Sequence, residues 1–192
     1  MRVGGWLFAQ RSWLPIPLVV VLLLLPPGGF PVGTWALAGA AIVIGGELLR
    51  FWAVQHIGVI SRTRSDRLGP LVTSGPFGLV RNPLYIGNIA LWVGFAVVAR
   101  QPWSAVAIAA LLGFEYHAIV RWEERLLESR RGQEYRDYCA RVPRWLPSSL
   151  QPSGAASPEP HSLSATVFSE RGTLIAIVAG FLLLAAKTRF VG

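Results

Sequence analysis

Apolar runs recur along this chain at close to the length of a bilayer crossing, and that repetition constrains it more than any motif. The runs are Trp13–Leu25, Thr34–Val54, Leu84–Val98, Trp103–Val120 and Thr173–Ala186. A helix needs ~20 predominantly apolar residues to cross a membrane. With 53% hydrophobic residues against 15% charged ones, a chain of 192 residues has little polar surface left for a water-soluble fold. The expectation is a single-domain, all-α integral membrane protein with about five transmembrane helices.

The charges are not scattered. Arg62, Arg64, Arg67 and Arg81 lie between the second and third runs, and Arg121, Arg125, Arg130, Arg131, Arg136, Arg141 and Arg144 follow the fourth. The opposite connections carry Arg100 alone. This is the positive-inside asymmetry of a multi-pass protein, and it puts both basic segments and the N-terminus in the cytoplasm. A net charge of +8 distributed in this way speaks for orientation and against nucleic acid, which would require stacking aromatics among the basic residues of a soluble surface. The N-terminal run, preceded by Arg2 and Arg11, resembles a secretory signal, but "PPGG" at residues 26–29 is a poor small-residue cleavage site, so we expect a retained first span. That span carries Pro15 and Pro17, tolerable only in an opening turn. One cysteine, Cys139, excludes an intramolecular disulfide and a thiolate metal cluster, and no histidine cluster has metal-ligand spacing.

The runs pair into hairpins through "PPGGFPVG" and "ARQPW", and the hairpins bracket a polar segment from Gln55 to Tyr85. Beyond the fourth run a helical pattern continues as "RWEERLLESRRGQEYRDYCARVPRWLP", interrupted at Gly132 and ended by Pro143 and Pro147. Residues 148–162, rich in Ser, Pro, Gly and Ala, read as a linker before an appended last span. The expected organisation is a hairpin over 1–54, a core over 55–147, a linker over 148–172 and a terminal helix over 173–192. Neither a GxGxxG turn nor a P-loop is present, so any cofactor site must come from helices and the cytoplasmic segments.

Two stretches carry chemistry. On a regular helix, Arg121 and Glu124 meet at three residues' separation, as do Arg125 and Glu128. Glu123 has Ile119, Val120, Leu126 and Leu127 at those distances instead. It either snorkels to water at the membrane surface or meets a cationic partner. In "SGPFGLVRNPLYIGN", residues 74–88, Asn82 stands at an N-cap position and Pro83 in the first turn of a helix, whose amides suit anionic or polar ligand groups. Capping accounts for Asn82 and Pro83, but not for Arg81, Tyr85 and the glycines around Phe77 as a set. Elsewhere, Glu47, Arg50, Glu115 and His117 are expected to pair between helices. His56 and His161 are expected at the surface, and Trp6, Trp13, Trp103, Trp122 and Trp145 as interfacial anchors.

Together, "LVTSGPFGLVRNPLYIG" and, one hairpin later, "EERLL…RRGQEYRDYCARVP" resemble the isoprenylcysteine carboxyl methyltransferases and their phospholipid-methyltransferase-like relatives, over roughly residues 50–147. The resemblance implies a cytoplasmic pocket for S-adenosylmethionine, formed by the segment before span three and the helix after span four. Its cofactor residues carry over to Gly69, Pro70, Leu71, Val72, Phe77, Asn82, Pro83, Leu84, Tyr85 and Glu123. Glu123 is also the carboxylate singled out by helix spacing. The chain departs from the family pattern at Asn82, where a histidine is usual, and at Phe77, where tyrosine is common. The acceptor-steering arginine of the eukaryotic enzymes aligns near Ile119, which leaves Arg121, with Glu124, as the catalytic candidates.

The function expected is therefore a membrane methyltransferase acting on a lipophilic or lipid-anchored acceptor, a carboxylate being favoured because it needs no general base. A bacterial inner membrane, with the site facing the cytoplasm, is the expected location. Two other classes fit a helical pocket less fully: a sterol-reductase-type enzyme using NADPH, and a non-catalytic scaffold or transporter.

Overall fold

The computed structural model describes residues 2–10, 13, 16–58, 71–149 and 160–191, and every regular element among them is helical. Seven α-helices follow one another: α1 (Arg2–Gln10), α2 (Ile16–Leu24), α3 (Val32–Ile57), α4 (Pro83–Val98), α5 (Pro102–Arg131), α6 (Gln133–Arg141) and α7 (Leu163–Val191). A 3₁₀ turn, Gly75–Gly78, precedes α4. Three helices, α3, α5 and α7, are long and apolar enough to cross a membrane. At 16 residues, α4 is a shorter apolar helix, about 24 Å long.

The expected first span differs most. Within Trp13–Leu25 the structure has only the short helix α2, and a separate helix, α1, precedes it; each has 9 residues and is about 14 Å long. Pro17 stands in the opening turn of α2, the place expected for it. Helix α1 packs on α5, with Gly4 against Ala118 and Trp122 and with Phe8 tilted against the Trp122 ring at 5.2 Å. Trp122 thus also packs within the chain, against α1. Trp145 is stacked on His117 at 6.4 Å, whereas Trp6, Trp13 and Trp103 are exposed.

Helices α3 and α4 run antiparallel in close contact, and glycine makes that contact possible. Gly39 and Gly46 are one heptad apart on α3, as are Gly87 and Gly94 on α4, so each pair stays on one face. Gly46 faces Gly87 and Ala90, and Gly94 faces Gly39 and Val43. Without a hydrophobic drive between helices in lipid, small residues gain van der Waals contact by letting backbones approach. A Cβ on Gly46 would lie 2.9 Å from the Gly87 carbonyl oxygen, whereas one on the adjacent Gly45 would meet nothing within 4 Å. Gly46→Ala should therefore cost about 1–3 kcal/mol by overpacking, and Gly45→Ala should gain up to about 1 kcal/mol from helix propensity. Thermal denaturation of both variants in detergent checks the opposite signs.

Helix α5 continues unbroken through Arg131, Gly132 follows with φ +56°, and α6 then turns back, as the interrupted helical pattern indicated. At 30 residues, or about 45 Å, α5 outreaches a hydrocarbon core of ~30 Å. The last helix begins ten residues before its expected apolar run, and it is no loose appendage. Leu184 joins the core formed by Leu18, Leu22, Ala96, Ile108 and Leu112, and Phe181 meets Phe95 at 5.4 Å. At one end, the buried Glu170 of α7 holds Arg50 of α3 at 2.7 Å. Arg50 also donates to Thr173 and to Asn88 of α4, and lies 3.4 Å from Glu47. The expected interhelical pairing of Arg50 is thus real, but its main partner sits on α7. At the other end, Lys187 donates to the carbonyls of Leu22 and Leu25, which close α2. Of the proposed linker, residues 150–159 lie outside the described residues, and residues 163–172 belong to α7 rather than to a linker.

Candidate functional site

The segment that leads into α4 begins where α3 ends. His56, in the last turn of α3, has Nδ1 2.8 Å from Ser74 Oγ. Gly75 follows with φ +56°, a backbone conformation that a side chain resists. The 3₁₀ turn closes through amides of Phe77, Leu79 and Val80 donating back to Ser74 and Pro76. Phe77 is buried, and its carbonyl accepts the Tyr138 hydroxyl of α6 at 2.8 Å. Burial pushes the phenols of Tyr135 and Tyr138 well above their ordinary range, so Tyr138 remains a donor. Leu71 packs on the same small core of Tyr135, Tyr138 and Val142.

The entry to α4 is tied to the end of α6 twice more. The Arg81 amide donates to the Pro143 carbonyl at 2.9 Å, and Asn82 Nδ2 donates to the Arg144 carbonyl at 3.1 Å. Asn82 does occupy the N-cap position and Pro83 does open the helix, but the Asn82 side chain makes no cap bond. It is spent on Arg144. The first-turn amides of α4 are consequently left without a side-chain cap from Asn82, pointing towards the polar end of the bundle.

Glu124 is bound from two sides. Arg144 meets it in a fork, Nε to Oε1 at 2.9 Å and Nη2 to Oε2 at 2.7 Å, and Arg81 Nη2 lies 3.3 Å from Oε1. The hydrogen bonds to Glu124 raise the Arg144 guanidinium further above its usual range. This corrects the expected pairing on α5: Glu124 takes Arg81 and Arg144 rather than Arg121, because the chain returning through α6 brings a better-oriented fork to it. Likewise Arg125 Nε donates to the Arg121 carbonyl, and Glu128 lies 3.5 Å from Arg136.

Glu123 points the other way. Its Oε2 accepts the Tyr85 hydroxyl at 3.0 Å, joining α5 to the first turn of α4. The Tyr85 ring in turn lies 4.7 Å from that of Tyr116. Among the expected site residues the structure therefore brings Tyr85 and Glu123 together, with Asn82, Pro83 and Leu84 at the same helix entry and Phe77 and Val72 on the segment leading to it. Arg121 is exposed and stands about 200° around α5 from Glu123, so it is not brought to this pair. Gly69 and Pro70 lie outside the described residues. Ile119, the position aligned with the acceptor-steering arginine, is fully buried in the core.

Sequence reasoning missed Arg144 and Tyr138, which lock the segment in place. Their signal was the "EYRDYCARVPR" block itself, read only as a family marker. It also missed His56, which is half-buried against Ser74 rather than at the surface.

A family model described as phospholipid methyltransferase matches residues 35–134, and so spans both the uncapped α4 entry and the Tyr85–Glu123 pair. The chain belongs to the phospholipid methyltransferase family. The family region ends before Arg144 and well before α7, so these helix-locking parts lie outside it.

Among its relatives, the Arabidopsis thaliana protein-S-isoprenylcysteine O-methyltransferase B is 31% identical over 113 residues, 57% of either chain. The nickel-cobalt-cadmium resistance protein NccN of Alcaligenes xylosoxydans xylosoxydans is 28% identical over 141 residues, 70% of this chain and 62% of that one. The Saccharomyces cerevisiae phosphatidyl-N-methylethanolamine N-methyltransferase is 29% identical over 94 residues, 47% of this chain and 45% of that one. The chain thus spans about half to three fifths of the length of these relatives. No solved structure matches it. Among the described residues no group of three His, Cys, Asp or Glu side chains is placed to hold a metal ion.

Proposed function

We propose that this phospholipid methyltransferase family member is an integral-membrane enzyme that transfers a methyl group from S-adenosylmethionine to a lipophilic acceptor. The observation that carries the reading is the Tyr85–Glu123 hydrogen bond at the uncapped start of α4. S-adenosylmethionine has a carboxylate at one end, and a sulfonium, an ammonium and ribose hydroxyls elsewhere. A helix N-terminus suits the first and a half-buried carboxylate suits the others. The donor set therefore fits the cofactor.

When bound, the cofactor supplies an electrophilic methyl group and a neutral thioether as leaving group. Glu123 holds its cationic or hydroxyl groups, with Tyr85 fixing the carboxylate's orientation. The α4 amides would hold its carboxylate, with Asn82, Pro83 and Leu84 at that entry and Phe77, Val72 and Leu71 on the segment leading to it. Gly69 and Pro70 complete the segment by resemblance. The protein's task is alignment and exclusion of water, because a direct displacement requires little else. Glu124, expected as catalytic, serves instead as the carboxylate that positions Arg81 and Arg144, and Arg121 as a surface cation of the same end.

An acceptor that is already a nucleophile is favoured, a carboxylate such as an isoprenylcysteine-like group. Both Glu124 oxygens are occupied by arginines, which leaves it poorly placed to take a proton from an amine. The names of the plant and yeast relatives, one acting on a protein-linked carboxyl and the other on a lipid amine, frame the two possibilities. We place the site on the cytoplasmic side of a bacterial inner membrane, with about five crossings in which α2 and α4 serve as short spans; the arginine asymmetry supports this orientation.

Calorimetric titration of the purified protein with S-adenosylmethionine and with NADPH tests the reading. Binding of the first alone is expected. Binding of NADPH alone would establish the reductase reading, and binding of neither the scaffold or transporter reading. Mass spectrometry of membrane lipids and prenylated peptides after incubation with methyl-labelled cofactor then identifies the acceptor.

A further inference from the structure

We propose that His56 is a positioning residue, holding the turn at Ser74–Gly78 in the conformation that presents the start of α4 to the cofactor. This rests on the function proposed above. His56 stands on the final turn of α3, the helix locked to α4 through glycine, so its ring has a rigid base. Trp52, one turn earlier, meets the ring edge-on at 6.5 Å and steadies it from below. From this base Nδ1 bonds the Ser74 hydroxyl at 2.8 Å, while the ring edge carrying Nε2 fills the space where a Cβ on Gly75 would sit.

The two contacts act on consecutive residues at one critical point. Ser74 is extended, with φ −94° and ψ 169°, and Gly75 switches to positive φ. There the chain changes direction into the 3₁₀ turn, which leads on to Asn82 and the first amides of α4. Tyr138, Arg81 and Asn82 fasten this segment to α6 from the far side, and His56 fastens it to α3. Without His56 the segment loses its side-chain hydrogen bond to α3.

The imidazole bonds through Nδ1, the nitrogen nearer the backbone, so the two amide replacements separate its two contacts. Asn carries its amide at the distance of Nδ1 and can keep the Ser74 bond. Gln carries its amide one bond further out, at the distance of Nε2, and cannot keep it in the same geometry.

The experiment is S-adenosylmethionine titration of His56→Ala, His56→Gln, His56→Asn and Ser74→Ala in detergent, with hydrogen exchange of the peptide over residues 74–82 in the ligand-free proteins. For Ala and Gln at 56, and for Ser74→Ala, Kd should rise about three- to tenfold, the worth of one hydrogen bond. Exchange over 74–82 should quicken by a similar factor in those variants. Asn should stay within about twofold of the parent on both measures, and a His56→Ala, Ser74→Ala double variant should be no worse than either single change. Ser74→Ala also serves as the test if His56→Ala fails to fold. Equal losses for Asn and Ala, or exchange unchanged in His56→Ala and Ser74→Ala, would overturn the inference. A parent protein that shows the exchange pattern yet does not bind S-adenosylmethionine would sink the proposed function, and would leave His56 as the holder of the turn alone.

Discussion

Arg50→Ala should lower stability by about 3–5 kcal/mol, the usual cost of removing one partner from a buried ion pair. For a chain of this length that corresponds to roughly 6–20 °C in Tm, at about 2–4 °C per kcal/mol. The reason lies in what remains. The side chain of Glu170 is 1% exposed and that of Glu47 is 11% exposed, so two carboxylates would stay in an apolar bundle after their shared cation is gone. Three helices meet at Arg50, and its loss should loosen α7 from α3 and α4 together. Arg50→Lys should recover only part of the loss, because one ammonium cannot reproduce a fork that reaches Asn88, Glu170 and Thr173 at once. The control is Arg171→Ala, an exposed neighbour on α7, which should stay within about 0.5 kcal/mol. Thermal unfolding in one detergent decides the matter, and an Arg50→Ala variant as stable as the control would mean that α7 is held by its apolar contacts alone.

The second large effect is on binding. Glu123→Gln should weaken S-adenosylmethionine binding by about ten- to a hundredfold, the loss of a charge-assisted bond worth about 1.5–3 kcal/mol. Tyr85 can still donate to the Gln carbonyl, so the α4–α5 contact survives and Tm should change little. Glu124→Gln should show the reverse pattern. Removing the charge shared by Arg81 and Arg144 should cost about 1.5–3 kcal/mol of stability, while cofactor affinity stays within a few-fold. Titration and thermal melts on both variants separate the two roles of these adjacent carboxylates. Equal losses of affinity would place both in the same pocket, against the opposed directions in which they now point.

Much of this was legible from residue types alone. Apolar run length and arginine placement indicated a helical membrane protein, and spacing on α5 already distinguished Glu123 from Glu124. Partners across the fold were not legible. Nothing in "RRGQEYRDYCARVPR" says that the chain returns to lay Arg144 on Glu124, because a short-range rule scores Arg121 and cannot see a residue twenty positions on. The glycines of α3 and α4 carried a readable heptad signal, but glycine in an apolar run is easily taken for composition. The early start of α7 was hidden by Glu170 and Arg171, charges that hydropathy treats as the end of a span, although Glu170 here anchors the helix to Arg50. The start of α2 was visible in Pro15 and Pro17, which fit only an opening turn, whereas the separate helix α1 before it was not.

Helix α5 leaves its hairpin at Pro102, just after Arg100 with φ +60°, and runs without interruption to Arg131. Glu123 is therefore at a set angle as well as a set height, both counted from that turn. Each residue of α5 contributes about 100° of rotation and 1.5 Å of rise, so the meeting of Glu123 with Tyr85 is a matter of phase, fixed at the opposite end of the helix. Evolution can exchange side chains along this rod freely where they face lipid. It cannot add or delete one without swinging the carboxylate away from the tyrosine, and the length of α5 between Pro102 and Glu123 is as much a part of the site as the residues that line it.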